Sequence, residues 1–218
     1  MTTGNPLILI MQFAFPLLLG NLFQQTYNIV DAAIVGRVLG PNALAGVGAS
    51  SSVQFLILGF CIGVCAGFSV PVAQRFGAGD IRSLKKFIFH SVILIIFLSV
   101  SLTLICCLSC KGILNILHTP GDIYSDAYVY LLVIFLGIPF TLLYNITAGI
   151  LRAVGDSRTP FIFLAMSTAF NIGLDLFCII VLKWGVAGAA LATVASQAIS
   201  GILCLIFILK MNLPLIYP

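Results

Sequence analysis

The sequence predicts an all-α integral membrane protein: one membrane domain over residues 1–218, built as a bundle of six transmembrane helices. Three observations carry this. Hydrophobic residues make up 61% of the chain and charged residues 7%, against about 25% charged in a soluble domain, so too few charges remain to coat a surface in water. Six apolar runs follow one another, at about 8–36, 44–70, 87–109, 123–150, 161–182 and 187–209, each long enough to cross ~30 Å of hydrocarbon at ~1.5 Å per residue. The runs are continuous and rich in Leu, Ile, Phe, Ala and Gly, without the alternating polarity of ~10-residue barrel strands.

The first run is too long for a secretory h-region, has no basic segment before it and no A-x-A-like exit, so it reads as a retained helix. Pro16 lies inside it, where the missing N–H makes a bend and a candidate hinge. The same run carries Asn21, Gln24, Asn28 and Asp31 at spacings of three, four and three, which places them on one helical face. The second and third runs are joined by a polar loop, Arg75 to Lys86, with a Gly79-Asp80 turn signal. Cys106, Cys107 and Cys110 close the third run. With Cys61, Cys65, Cys178 and Cys204 they make an odd number in apolar helices, so they read as small hydrophobes and not as a disulfide framework. The fourth run holds Tyr130, Pro139, Thr141 and Asn145, with Pro139 expected to bend it, and a second polar loop, Arg152 to Thr159, follows with Gly155-Asp156. The fifth run carries Asn171 and Asp175 at i, i+4, and the sixth Thr193 and Gln197 at the same spacing.

Ten Lys and Arg set the expected orientation. Arg75, Arg82, Lys85, Lys86, Arg152, Arg158 and Lys210 fall on the N-terminal side of the bundle; Arg37, Lys111 and Lys183 fall on the other. The positive-inside rule then puts both termini in the cytoplasm of a multi-pass plasma-membrane protein, the inner membrane in a bacterial cell. The net charge of +4 arises from this asymmetry and does not point to nucleic acid.

Asp31 and Asp175 are the residues that most need a reason. A carboxylate within hydrocarbon costs about 2.5 to 3.5 kcal/mol by insertion measurements and persists where it faces a cavity, a partner or an ion. Both lie in the outer halves of their runs, at a depth similar to Thr193 and Tyr130, with Asn145 deeper. No Lys or Arg stands at that level, so one acid is expected to be neutral near pH 7 unless a cation joins the pair. Carboxylate, amide and hydroxyl oxygens suit H⁺ or a hard cation such as Na⁺. Gln24, Gln54, Ser196 and Ser200, taken singly, read as interhelical hydrogen-bonding residues.

The run from Pro16 to Gly48, PLLLGNLFQQTYNIVDAAIVGRVLGPNALAGVG, together with VAQRFGAGD at Val72 to Asp80, LRAVGDSRTPF at Leu151 to Phe161 and NIGLDLFCIIVLKWGVAGAALATVASQ at Asn171 to Gln197, resembles the N-terminal half of transporters of the multidrug and toxic compound extrusion family. The resemblance implies a six-helix lobe of a twelve-helix transporter. It also implies a cation site formed by Asp31, Asn171, Asp175, Thr193, Asn145 and Tyr130, with Pro16 as the bending proline of the first helix. Inward movement of H⁺ or Na⁺ would drive export of an organic, cationic and amphipathic substrate, with no cofactor beyond the coupling ion. The chain ends just past the sixth run, so the expected partner, besides membrane lipid, is a missing second lobe or a second copy of the chain. A truncated lobe, a self-pairing half-transporter and a lobe that does not transport are the three readings of that length.

Other classes stay open at this point. A lipid or polysaccharide-precursor flippase of the same superfamily would line its cavity with more cations than this chain has. Two intramembrane aspartates also suggest an aspartyl protease, but Asp175 sits in Gly-Leu-Asp and not Gly-x-Gly-Asp. No Walker loop, His cluster or Ser/His/Asp set is present, and His90 and His118 are isolated, so the chain does not read as an enzyme.

Overall fold

The computed structural model describes residues 6–210, which are helical throughout apart from short connections. The helices are α1 (Pro6–Val38), α2 (Pro41–Gly77), α3 (Ile81–Ile116), α4 (Gly121–Leu136), α5 (Ile138–Ala153), α6 (Arg158–Leu176) and α7 (Gly185–Lys210), and a five-residue π-helical segment, Phe177–Val181, continues α6. Helices α2, α3, α7, and α6 with its π segment, are each long and apolar enough to cross a membrane, and α4 with α5 forms one further span bent by 44°. The 33 residues of α1, about 50 Å at ~1.5 Å per residue, complete six rods.

The bend in the fourth rod is the one expected from Pro139, and it centres on Gly137. Pro139 occupies the first turn of α5, where its ring disfavours helical geometry at the residue before it and it donates no hydrogen bond. The Gly137 N–H closes α4 by donating to Val133 and Ile134 carbonyls at 3.0 Å. Pro16, in contrast, lies within an unbroken α1.

The two polar loops are much shorter than the sequence suggested. Helix α2 continues through Gly77 and α3 begins at Ile81, which leaves 78–80 as connection; likewise only 154–157 separate α5 from α6. Arg75, Arg82, Lys85, Lys86, Arg152 and Arg158 therefore stand on helix ends and not in loops. Local chemistry explains the tightness. Gly79 and Gly155 take positive φ, 70° and 95°, which suits residues without a Cβ. Asp80 accepts from the Ser83 N–H at 3.1 Å, and Asp156 accepts from the N–H groups of Arg158 and Thr159 at 3.1 and 3.0 Å, so each acid satisfies donors that a helix start leaves unpaired.

The main core lies where α2, α3, α4, α5 and α7 meet, and it buries Leu84, Leu114, Leu131, Phe135, Ile138, Leu142 and Leu151. Close backbone approach tightens it. A Cβ on Gly201 of α7 would stand 3.0 Å from the Tyr144 nitrogen of α5, so this crossing depends on a small residue. The Gly- and Ala-rich start of α7 is also used internally: Val186, Gly188, Ala189, Ala190 and Ala192 are all buried. Helix α1 packs chiefly on α6, with lesser contact to α2, α7 and the π segment. Much of its apolar surface, from Leu7 to Ile29, stays exposed.

Candidate functional site

Asp31 reaches the bundle interior from the second half of α1, just before Val35 packs into a small apolar cluster with Tyr130, Ile134, Ile179, Val186 and Ala189. Asp175 comes from the last turn of α6, immediately before the π segment. The wider π turn shifts the helical register after Asp175, a device that recurs at functional sites. Its backbone still closes, with Leu182 N–H donating to the Phe177 carbonyl and Trp184 N–H to that of Cys178, both at 3.0 Å. Gly188 of α7 lets the π segment approach: a Cβ there would stand 3.0 Å from the Cys178 Cβ.

The two carboxyl groups lie close enough to interact directly. Asp175 is fully buried at 0% exposure, Asn171 is at 1% and Asp31 at 6%. Thr193 of α7 is buried and shares a small cavity with Asn171. None of Asp31 Oδ1, either Asp175 oxygen, the Asn171 amide atoms or Thr193 Oγ1 has a hydrogen-bond partner within the protein. Buried polar atoms are paired in the great majority of folded proteins, and each exception calls for an explanation. No basic residue pairs with either acid; the ion pair formed among the described residues joins Arg75 and Asp80 at 3.7 Å, near the helix ends.

The six residues expected at a cation site do not all gather in one place. Asp31 of α1 and Asp175 of α6 come together, and Asn171 of α6 meets Thr193 of α7 around a small cavity. Tyr130 is buried in the apolar cluster with Val35, Ile134 and Ile179. Asn145 instead donates to the Thr141 carbonyl at 2.8 Å and lines a separate cavity of about 380 Å³ between α1, α2, α5 and α6, with Pro16, Asn21, Gln24 and Arg152. It lies deeper along its rod than Tyr130, and the bend at Gly137 separates the two onto different helices. The polar stripe on α1 divides as well. Asp31 is buried and Gln24 half-buried, whereas Asn21 and Asn28 are exposed, Asn28 donating to Gln25 Oε1 at 3.3 Å.

Sequence reasoning gave little weight to a second set of polar residues. Ser167 and Thr168 of α6 and Ser196 and Gln197 of α7 meet Asn171 and Thr193 around a small cavity. Their shared face becomes visible only once the antiparallel register of α6 and α7 is known. The seven cysteines are all free thiols, and six are buried.

Comparison with known proteins places this arrangement. The MatE family model matches residues 16–177. The probable multidrug resistance protein YpnP of Bacillus subtilis is 32% identical over 212 residues, covering 97% of this chain and 48% of the relative. A protein named FAD transporter from Shewanella oneidensis is 24% identical over 195 residues, 88% of this chain and 43% of the relative. A solved outward-facing conformation of a multidrug resistance MATE family transporter of the MOP superfamily superposes with a TM-score of 0.91 at 28% identity, over 98% of this chain and 47% of that one. The chain thus spans about half the length of the relatives it matches. It belongs to the MatE family of multidrug and toxic compound extrusion transporters, and it has the fold of a single lobe.

Proposed function

We propose that the chain is one lobe of a cation-coupled antiporter that exports organic compounds, with Asp31 and Asp175, assisted by Asn171 and Thr193, as the site that takes up and releases H⁺ or Na⁺. The observation that carries this reading is the set of buried, unpartnered oxygens on three different helices, with no basic side chain to neutralise them. Leaving such atoms unpaired costs about 1–3 kcal/mol each, and a cation or proton shared by the two acids removes much of that cost. Purely structural polar residues would have bonded across the helices.

The geometry also supports coupling to motion. One acid sits on α1, which is exposed along much of its length, and the other on α6, which is held by α7. A change of occupant alters the attraction between them, and α1 is the partner with less packing to resist displacement. Pro16 lies one cavity away, where a bend of α1 would change the shape of the 380 Å³ space. That volume falls within the ~300–1,000 Å³ of small-molecule pockets, in keeping with relatives named for multidrug resistance. Asn28, exposed on α1, calls for cover in a membrane, which supports a second lobe or a second copy as partner. In this reading both termini are cytoplasmic and the bilayer is the plasma membrane.

The test is efflux of a cationic dye from cells and from proteoliposomes under an imposed H⁺ or Na⁺ gradient. Asp175→Asn is expected to fold and insert but to lose gradient-driven efflux. Wild-type efflux by that variant overturns the reading. Movement of a labelled lipid in place of the dye would favour the flippase alternative.

A further inference from the structure

The small cavity between α6 and α7 has no role in the site as described, yet its chemistry is unusual for a helix interface. Its volume is about 10 Å³, the room that one water molecule occupies by this measure. Ser167, Thr168, Asn171, Thr193, Ser196 and Gln197 line it. Of these, Asn171 (both amide atoms), Thr193 Oγ1, Ser196 Oγ and Gln197 Oε1 have no partner within the protein, and all four residues are more than nine-tenths buried. The Ser167 hydroxyl donates to the Ser196 carbonyl across the interface, so the two helices are held in register at this level. A buried water needs two to four polar partners, and this pocket offers them.

Position gives the pocket a direction. Asn171, which lines this cavity, lies one helical turn before Asp175 on the same face of α6. On α6, residues 175, 171, 168 and 164 recur at spacings of four, three and four, one continuous face. The last of them, Leu164, lines both the small cavity and the 380 Å³ cavity that holds Asn21, Gln24, Asn145 and Arg152. In the other direction along the two helices, four residues past each acid, Val35 and Ile179 belong to an apolar cluster with Tyr130, Ile134 and Val186. The pocket is therefore a polar step between the acid pair and the larger cavity, ended by one apolar side chain.

We propose that this pocket is a one-water relay and that Leu164 is its plug, so that protons pass between the Asp31–Asp175 pair and the larger cavity only when the Leu164 side chain moves aside. The water accepts a proton on its oxygen and gives up another to the next acceptor, so it is unchanged by each transfer. The inference rests on the acid-pair reading for the identity of the group that the relay serves. It assigns new roles to Ser196 and Gln197 as water-positioning residues and to Leu164 as a gate.

The experiment is hydrogen–deuterium exchange of the protonated carboxyl band, followed by infrared spectroscopy on the full chain in lipid nanodiscs at acid pH. Asp31→Asn and Asp175→Asn identify the band. Leu164→Ala is expected to speed its exchange at least tenfold, and Ser196→Ala to slow it several-fold. Ser196→Ala removes only an unpartnered hydroxyl, so its fold is expected to be intact. Leu164→Met, which keeps the volume, should exchange like wild type and guards against a loss of folding in Leu164→Ala. A band that responds to the Asp variants while its exchange ignores Leu164 and Ser196 overturns the relay alone. A band that ignores both Asp variants removes the acid-pair reading, and the relay with it.

Discussion

Four of the six acids in this chain divide into two pairs that differ in one respect, whether the oxygens have something to bond. Asp80 and Asp156 sit between helices and accept from backbone N–H groups at 3.0–3.1 Å. Hydrogen bonds from Ser83, with Arg75 and Arg82 nearby, hold the Asp80 carboxyl below the usual carboxylate range. Asp31 and Asp175 lie within the helical rods, and among the described residues Asp31 Oδ1 and both Asp175 oxygens have no such partner. The same side chain thus closes a helix in one place and is left uncompensated in another. Folding alone explains the first pair, whereas the second pair persists at a cost that only an occupant or a mechanism offsets.

Four substitutions at three places in the fold would break or sharpen this contrast. The largest effect is expected at the membrane pair: Asp31→Asn or Asp175→Asn should lower gradient-driven efflux at least tenfold while thermal stability holds or rises, because an uncompensated buried charge is removed. Loss of folding in both variants would make the pair structural and erase the contrast. Next, Gly201→Leu should lower stability by about 1–3 kcal/mol, since its Cβ would already press on the Tyr144 backbone. As a packing lesion it should reduce folded yield and efflux together, unlike the Asp variants. The smallest effect is expected for Asp80→Ala, a modest fall in melting temperature with coupling intact.

The Asp80 effect should also depend on pH with a definite sign. Its carboxyl titrates lower in the folded chain than unfolded. Its contribution is therefore present above the unfolded value of about 3.9 and is lost as pH falls through the lower folded value. The melting-temperature gap between wild type and Asp80→Ala should accordingly narrow on acidification below about pH 4. A gap that widens there would assign the stabilisation to something other than the ionised cap.

Much of this was legible in the sequence, for reasons that differ by residue. The helical runs follow from apolar length alone, and the break in the fourth run from Pro139, whose chemistry acts on the residues just before it. The proximity of Asp31 and Asp175 followed from depth and face. The loops were overestimated because charge at a helix end reads like loop in a one-dimensional sequence, whereas Asp80 and Asp156 cap helices that already carry those charges. The π segment left no signal, since no Pro or Gly marks 177–181, and the Gly188 that leaves room for it lies on another helix. The resemblance groups Asn145 with Tyr130, whereas beyond the bend at Gly137 Asn145 lines the larger cavity and Tyr130 is packed in an apolar cluster. Ser196 read as an ordinary interhelical polar residue and Ser167 was not singled out, until the antiparallel register set them around one cavity.

The most direct test of a shared site is an infrared titration of the carboxylic-acid band in wild type and in Asp31→Asn and Asp175→Asn, with and without Na⁺. If the two acids hold one occupant between them, removing either one must change the titration of the other. Two acids that each titrate the same way whether or not the other is present would contradict the account.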